Sequence, residues 1–201
     1  AIDPANPKSY PGSGTSVNDL VGEENGTFAN GTTFSSTNGG VFSFDGTDDE
    51  IHFSTGSIFK PTGAMTLSYW LYGYAGEGSA GGMGTMGANR GYLLGPTNTG
   101  GFIFYVASSS SDLASTSYTD ASLTGWNQLV GVYSPSEYLK LYINGSLVST
   151  TMTAVASQYQ GNGISFKVGP RGDGTGNKTG PISQVQIYHR ALSASEIQEN
   201  Y

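Results

Sequence analysis

The sequence predicts an all-β fold, a two-sheet antiparallel sandwich of jelly-roll type with one short C-terminal helix. Three observations carry that prediction. Apolar and polar residues alternate along most of the chain, the period-2 signature of half-buried strands. Glycine makes up 31 of the 201 residues, about twice its usual ~7% share, while charged residues are 11% against a usual ~25%. Aromatic residues, 12% of the chain, are spread from end to end, which excludes a disordered composition and supplies core material throughout.

The elements follow in order. Phe42 and Phe44 share one face of a strand over 41–45, and Ile51 and Phe53 share the face of the next. Met65, Leu67, Tyr69 and Leu71 alternate with Thr66, Ser68, Trp70 and Tyr72. Further strands are predicted at about 91–95, 101–107, 127–134, 138–143, 146–152, 163–169 and 181–190. The run Gly101-Phe102-Ile103-Phe104-Tyr105-Val106 is apolar on both faces and predicts a strand with neighbours on both sides. Asn144-Gly145 between alternating strands predicts a two-residue type I′ hairpin turn. Ser193-Ala194-Ser195-Glu196 reads as a capping box, with Leu192 and Ile197 placed as a hydrophobic staple. The stretch from Gly73 to Gly91 predicts a long, functional loop. No repeat or linker divides the chain, so residues 1–201 are expected to form one domain.

Composition narrows the function. A formal net charge of −7 with only eight Lys and Arg argues against nucleic acid, which demands clustered cations. The absence of cysteine removes disulfides, thiolate metal sites and a cysteine nucleophile. No apolar run reaches the ~18 residues of a membrane helix, so membrane insertion is not expected. The first residue is Ala1 and no signal-type apolar segment follows, which predicts a processed or excised chain.

Several local patterns together resemble the laminin-G-like family of concanavalin A-like jelly rolls. They are the opening Asp3-Pro4-Ala5-Asn6-Pro7-Lys8-Ser9-Tyr10, the turn Phe44-Asp45-Gly46-Thr47-Asp48-Asp49, and Trp126 with Leu129-Val130-Gly131-Val132-Tyr133. The hairpin Leu139-Lys140-Leu141-Tyr142-Ile143-Asn144-Gly145 and the closing segment from Ile182 to Ile197 complete the set. The first and last segments are most similar to copies found in structural proteins of tailed, marine bacteriophages. The resemblance implies a jelly-roll sandwich and, in many members, a calcium ion. Two departures stand out: Glu50 where an aromatic residue commonly follows the Asp pair, and Ser183-Gln184 where many members carry Asp-Glu. If those acids help to hold calcium, this copy has lost part of that site.

Candidate sites divide by chemistry. Asp45, Asp48 and Asp49, with Glu50 beside them, are hard oxygen ligands of the kind calcium prefers, although Asp and Gly also build strand turns unaided. No strand carries the paired carboxylates of a glycosidase, and there is no Gly-x-Ser-x-Gly elbow. His52 and His189 fall in strand patterns as face residues, so catalysis is not expected. For a glycan, the loops offer Tyr74, Asn89, Arg90 and Tyr92 in or beside the Gly-rich segment, and Arg171 and Asp173 in Gly169-Pro170-Arg171-Gly172-Asp173-Gly174. Arginine forks would suit acidic sugars. Trp70 and Trp126 sit inside strand patterns and are assigned to the core. The expected function is a non-catalytic recognition module for a cell-surface glycan or polysaccharide. It would be displayed at a virion surface or otherwise outside a cell, beside other virion or structural subunits. The alternatives are an assembly domain making protein contacts, or an accessory domain of a secreted bacterial enzyme or adhesin.

Overall fold

The computed structural model describes residues 1–22, 24–73, 82–85, 87, 90–97, 99–120, 122–152, 155, 164–170 and 178–201. In chain order the strands begin with β1 (Ser16–Val17), β2 (Gly26–Ala29), β3 (Thr33–Ser35), β4 (Val41–Asp45), β5 (Glu50–His52) and β6 (Met65–Tyr72). They continue with β7 (Gly82–Gly84), β8 (Gly91–Pro96), β9 (Gly101–Ala107), β10 (Leu113–Thr119) and β11 (Trp126–Ser134). The last are β12 (Tyr138–Ile143), β13 (Ser146–Met152), β14 (Lys167–Gly169) and β15 (Thr179–Tyr188), followed by the helix α1 (Ala194–Glu199).

Two antiparallel sheets result. The eight-stranded sheet has the order β1-β2-β5-β14-β7-β8-β9-β10, and the seven-stranded sheet β13-β12-β11-β6-β15-β4-β3. Residues far apart in sequence therefore become strand neighbours, as in a jelly roll. Between the sheets lies a core to which Phe42, Phe44, Ile51, Met65, Leu67, Tyr69, Leu71, Phe102, Phe104, Leu129, Tyr133, Leu139 and Leu141 contribute. Each such side chain contributes about 1.5–3 kcal/mol by leaving water. Gly131 is required by this packing: a Cβ there would lie 2.7 Å from the Phe104 ring.

Other strands were not legible. β10, Leu-Ala-Ser-Thr-Ser-Tyr-Thr, forms an edge of the eight-stranded sheet, paired to β9, and only Ala114 and Tyr118 give its inner face any apolar character, too little for the pattern to register. β1, β2, β3 and β7 run from two to four residues, too short for periodicity to register. β9 does carry partners on both sides, as its doubly apolar pattern predicts. Asn144 and Gly145 adopt φ of 51° and 75°, the left-handed pair a type I′ turn requires.

The outer face of the seven-stranded sheet positions the site. Ser193 accepts from the Glu196 amide while the Glu196 carboxylate accepts from the Ser193 amide, so the capping box forms as expected. Leu192 and Ile197 are buried with Val130, Val132 and Tyr142, so α1 covers one half of that face. Among the described residues no helix covers the other half. Among the described residues no helix is long and apolar enough to cross a membrane.

Candidate functional site

The acidic turn comes together as the sequence implied, except for Glu50. Asp45, Asp48 and Asp49 place carboxylate oxygens within 4.8 Å of one another. Glu50 turns away and is held by Lys167 at 2.6 Å and by His52 at 3.3 Å. Asp49 is buried at 4% exposure; its Oδ2 accepts from the Asp45 amide at 2.7 Å, but its Oδ1 has no hydrogen-bond partner. Burial first, and then the charges of Asp45 and Asp48, raise the Asp49 pKa, against the opposing pull of the Asp45 amide. Gly31, at φ 119°, leaves room beside Oδ1, where a Cβ would lie at 2.8 Å.

That donor set fits calcium. Oxygens on opposite sides of a calcium ion lie about 4.8 Å apart, twice a bond length of about 2.4 Å. The orphaned buried oxygen of Asp49 is the group a cation would satisfy. Ser183 and Gln184 do not belong to this cluster. Asp45 pairs with Thr179, and Ser183 lies four residues further along β15, roughly 13 Å away at about 3.3 Å per residue. Their departure from the family pattern therefore removes nothing from the acidic turn.

Of the expected glycan residues, Tyr92 and Arg90 fall among the described residues. Tyr92 is corrected: its ring is fully buried in the core and its hydroxyl donates to the Phe59 carbonyl at 3.0 Å, so no ligand reaches it. Burial pushes that hydroxyl's pKa far up. Arg90 is exposed, and its backbone pairs with Gly87 beside the start of β8. That is the end of the eight-stranded sheet away from the acidic turn, because β14 runs from Lys167, paired to Gly84, towards Gly169 against the Asp49 backbone. Tyr74, Asn89, Arg171 and Asp173 lie outside the described residues.

The structure assembles a different site from residues placed elsewhere by the sequence reading. Trp70 and Trp126 are not core: both are half-buried on the outer face of the seven-stranded sheet. With Asn38, Ser183, Gln184, Asn200 and Tyr201 they line an open groove of about 510 Å³. Trp70 stacks on Tyr201 with ring centroids 5.7 Å apart and planes 11° apart, and Trp126 meets Tyr72 edge-on at 5.5 Å. Trp126 pairs with Tyr72 and Trp70 with Gln128, so the two indoles are diagonal neighbours, about 7–8 Å apart at Cα.

A β-bulge completes the groove. On β15, Ser183 opposes Trp70 and Gln186 opposes Ser68, so β15 carries one extra residue there. Gln184 absorbs it at φ 43°, a left-handed conformation that costs a non-glycine residue about 1–3 kcal/mol and that clusters at functional positions. The bulge turns two successive polar residues, Ser183 and Gln184, outward beside Trp70, while Val185 returns to the core. Two sequence signals were present. Trp70 is in phase with Thr66 and Ser68 rather than with the apolar set of β6, and Ile182, Val185 and Ile187 break the period of two.

Comparison with known proteins follows from this fold. Residues 45–198 match the family model Laminin_G_3, concanavalin A-like lectin/glucanases superfamily. No curated protein matches the chain in sequence. Among solved structures, the binding domain of botulinum neurotoxin serotype G is similar with a TM-score of 0.73 at 12% identity, over 92% of this chain and 48% of that one. The binding domain of Paraclostridial Mosquitocidal Protein 1 gives 0.72 at 16% identity, over 92% and 51%. That of botulinum neurotoxin DC, in complex with SialylT, gives 0.67 at 12%, over 92% and 49%. The chain spans about half the length of these structures, and the likeness is one of fold. The family match covers most of the chain and includes the acidic turn, both tryptophans and all but the last residue of the capped helix. The chain belongs to the concanavalin A-like lectin/glucanases superfamily, in its Laminin_G_3 family.

Proposed function

We propose that this chain is a non-catalytic recognition domain, one unit over residues 1–201, that binds a glycan in the groove around Trp70 and Trp126. The observation that carries this reading is the combination of two indoles and planar amides on an open sheet face. Sugar rings present an apolar face to an aromatic platform and hydroxyls to amide donors and acceptors. Among the described residues no side chain of the groove lining is a carboxylate, imidazole or thiol, so its hydroxyls, Ser183 and Tyr201, have no base beside them there to activate them. The crystallised complex of a fold relative with SialylT supports carbohydrate as the ligand class. Calcium, held by Asp45, Asp48 and Asp49, would neutralise the buried carboxylate and stiffen the turn that follows β4.

The context we assign is extracellular or on a virion surface, as a tail-fibre, decoration or minor structural domain of a phage. Weak individual binding would there be multiplied by repeated copies. A glycan array with and without calcium tests the reading. Trp70→Ala or Trp126→Ala should weaken every reproducible hit by about 2 kcal/mol, roughly thirtyfold, as truncation of an aromatic anchor does. Arg90→Ala, at the far end of the other sheet, should leave affinity within about twofold. Silence across the array with tight self-association would replace the reading with an assembly role.

A further inference from the structure

The lining of the groove also specifies a class of glycan, an inference that rests on the recognition reading above. We infer that the groove takes an uncharged oligosaccharide and discriminates against sialic and uronic acids. Its polar groups among the described residues are the amides of Asn38, Gln184 and Asn200, the hydroxyls of Ser183 and Tyr201, and the indole N–H groups of Trp70 and Trp126. An amide presents both donors and an acceptor, which matches vicinal sugar hydroxyls. None of these groups carries the positive charge that a sugar carboxylate would need once its water was displaced by an indole. The remaining field is unfavourable as well, because the chain bears a net charge of −7. Of the two arginines expected to serve acidic sugars, Arg90 lies at the far end of the other sheet and Arg171 falls outside the described residues. Arg190 is turned to Glu196 at 2.7 Å.

The shape of the groove points to an internal stretch of a chain as the ligand. Its described lining spans β11, β6 and β15, with ring platforms offset diagonally, so successive residues of a chain can lie across it. An end-binding site would instead close around one terminal residue.

The chain offers its own reporter. Its only two tryptophans both lie in the groove, so a ligand there alters the whole indole emission. Titrations would use oligomers of β-1,4-glucose, α-1,4-glucose and N-acetylglucosamine, with oligogalacturonate and sialyllactose as carboxylated probes. Trp70→Phe and Trp126→Phe variants would assign the signal. At least one neutral series should bind, gaining affinity with length, and its Kd should change less than about twofold between about 50 and 500 mM salt. The carboxylated probes should bind at least about tenfold more weakly. Gln184→Arg should recover them and make binding salt-dependent, because it places a guanidinium at the bulge. Equal or better binding of carboxylated probes by the native protein, or a severalfold loss of neutral binding in salt, overturns the inference while leaving glycan recognition intact. Failure of every probe, neutral and carboxylated, overturns recognition itself and this inference with it.

Discussion

Asp49 shows how one buried residue can carry a cost to the fold. Its Oδ1 is buried and unpaired, and its pKa is raised by burial and by Asp45 and Asp48. A carboxyl whose folded pKa is raised binds more protons in the native than in the unfolded state, so stability falls as pH rises through that window. In calcium-free buffer, acidification from neutral towards the usual carboxylate range should therefore stabilise the wild type relative to Asp49→Asn. Calcium bound at this turn should reverse the sign, because it would bind the ionised form in competition with protons. Thermal melts should show a calcium-dependent gain of about 2.7 kcal/mol at a hundredfold excess over Kd, absent in Asp49→Asn and shrinking at low pH. No shift at any calcium concentration would remove the ion from this turn. Gln184 is the second telling residue. Gly at that position relieves the φ of 43° and should stabilise the fold slightly while weakening ligand binding, the pattern expected of strain kept for function.

At the scale of elements, α1 and the bulge divide the work on one sheet face. The helix, six residues long, is too short to persist alone and depends on its cap and on Ile197. Ser193→Ala should cost about 1 kcal/mol in urea denaturation, and Ile197→Ala about 2–5 kcal/mol. Both should also weaken the groove, since Asn200 and Tyr201 at the end of the helix form one of its walls. Equal affinity in a folded Ile197→Ala variant would show that the helix contributes only stability. The Asn144-Gly145 turn ties this region together: the Asn144 amide group donates to Asn127 at 3.0 Å and accepts from the Gln128 backbone at 2.9 Å. Gln128 in turn donates to the Asn200 carbonyl at 2.9 Å. The turn, the start of β11 and the end of α1 thus form one polar junction beside Trp126.

For the whole molecule, stability rests on the close approach of the two sheets, as at Gly131 with Phe104. Gly131→Val should destabilise by about 1–3 kcal/mol through overpacking, and Phe104→Ala by about 3–5 kcal/mol through a cavity. In the double variant the two should offset in part, which a double-mutant cycle would measure. Much of this architecture was legible because its causes are local. Alternation marked the long strands, Asn-Gly marked the hairpin, and Ser193 with Glu196 marked the helix start, each a contact within a few residues. Asp45, Asp48 and Asp49 were legible for the same reason, lying within one turn. The groove was not, because its lining runs from Asn38 to Tyr201 and shares a surface only through the strand order β11-β6-β15 and the docking of α1. The sequence alone determined which residues alternate, turn and cap, since those preferences act over one strand or one turn. Only the tertiary structure decided that Tyr92 points into the core and Trp126 out of it, whereas the phase of Trp70 with Thr66 and Ser68 already hinted at its outward face. Which face of a strand meets the other sheet is set by packing between segments far apart in the chain.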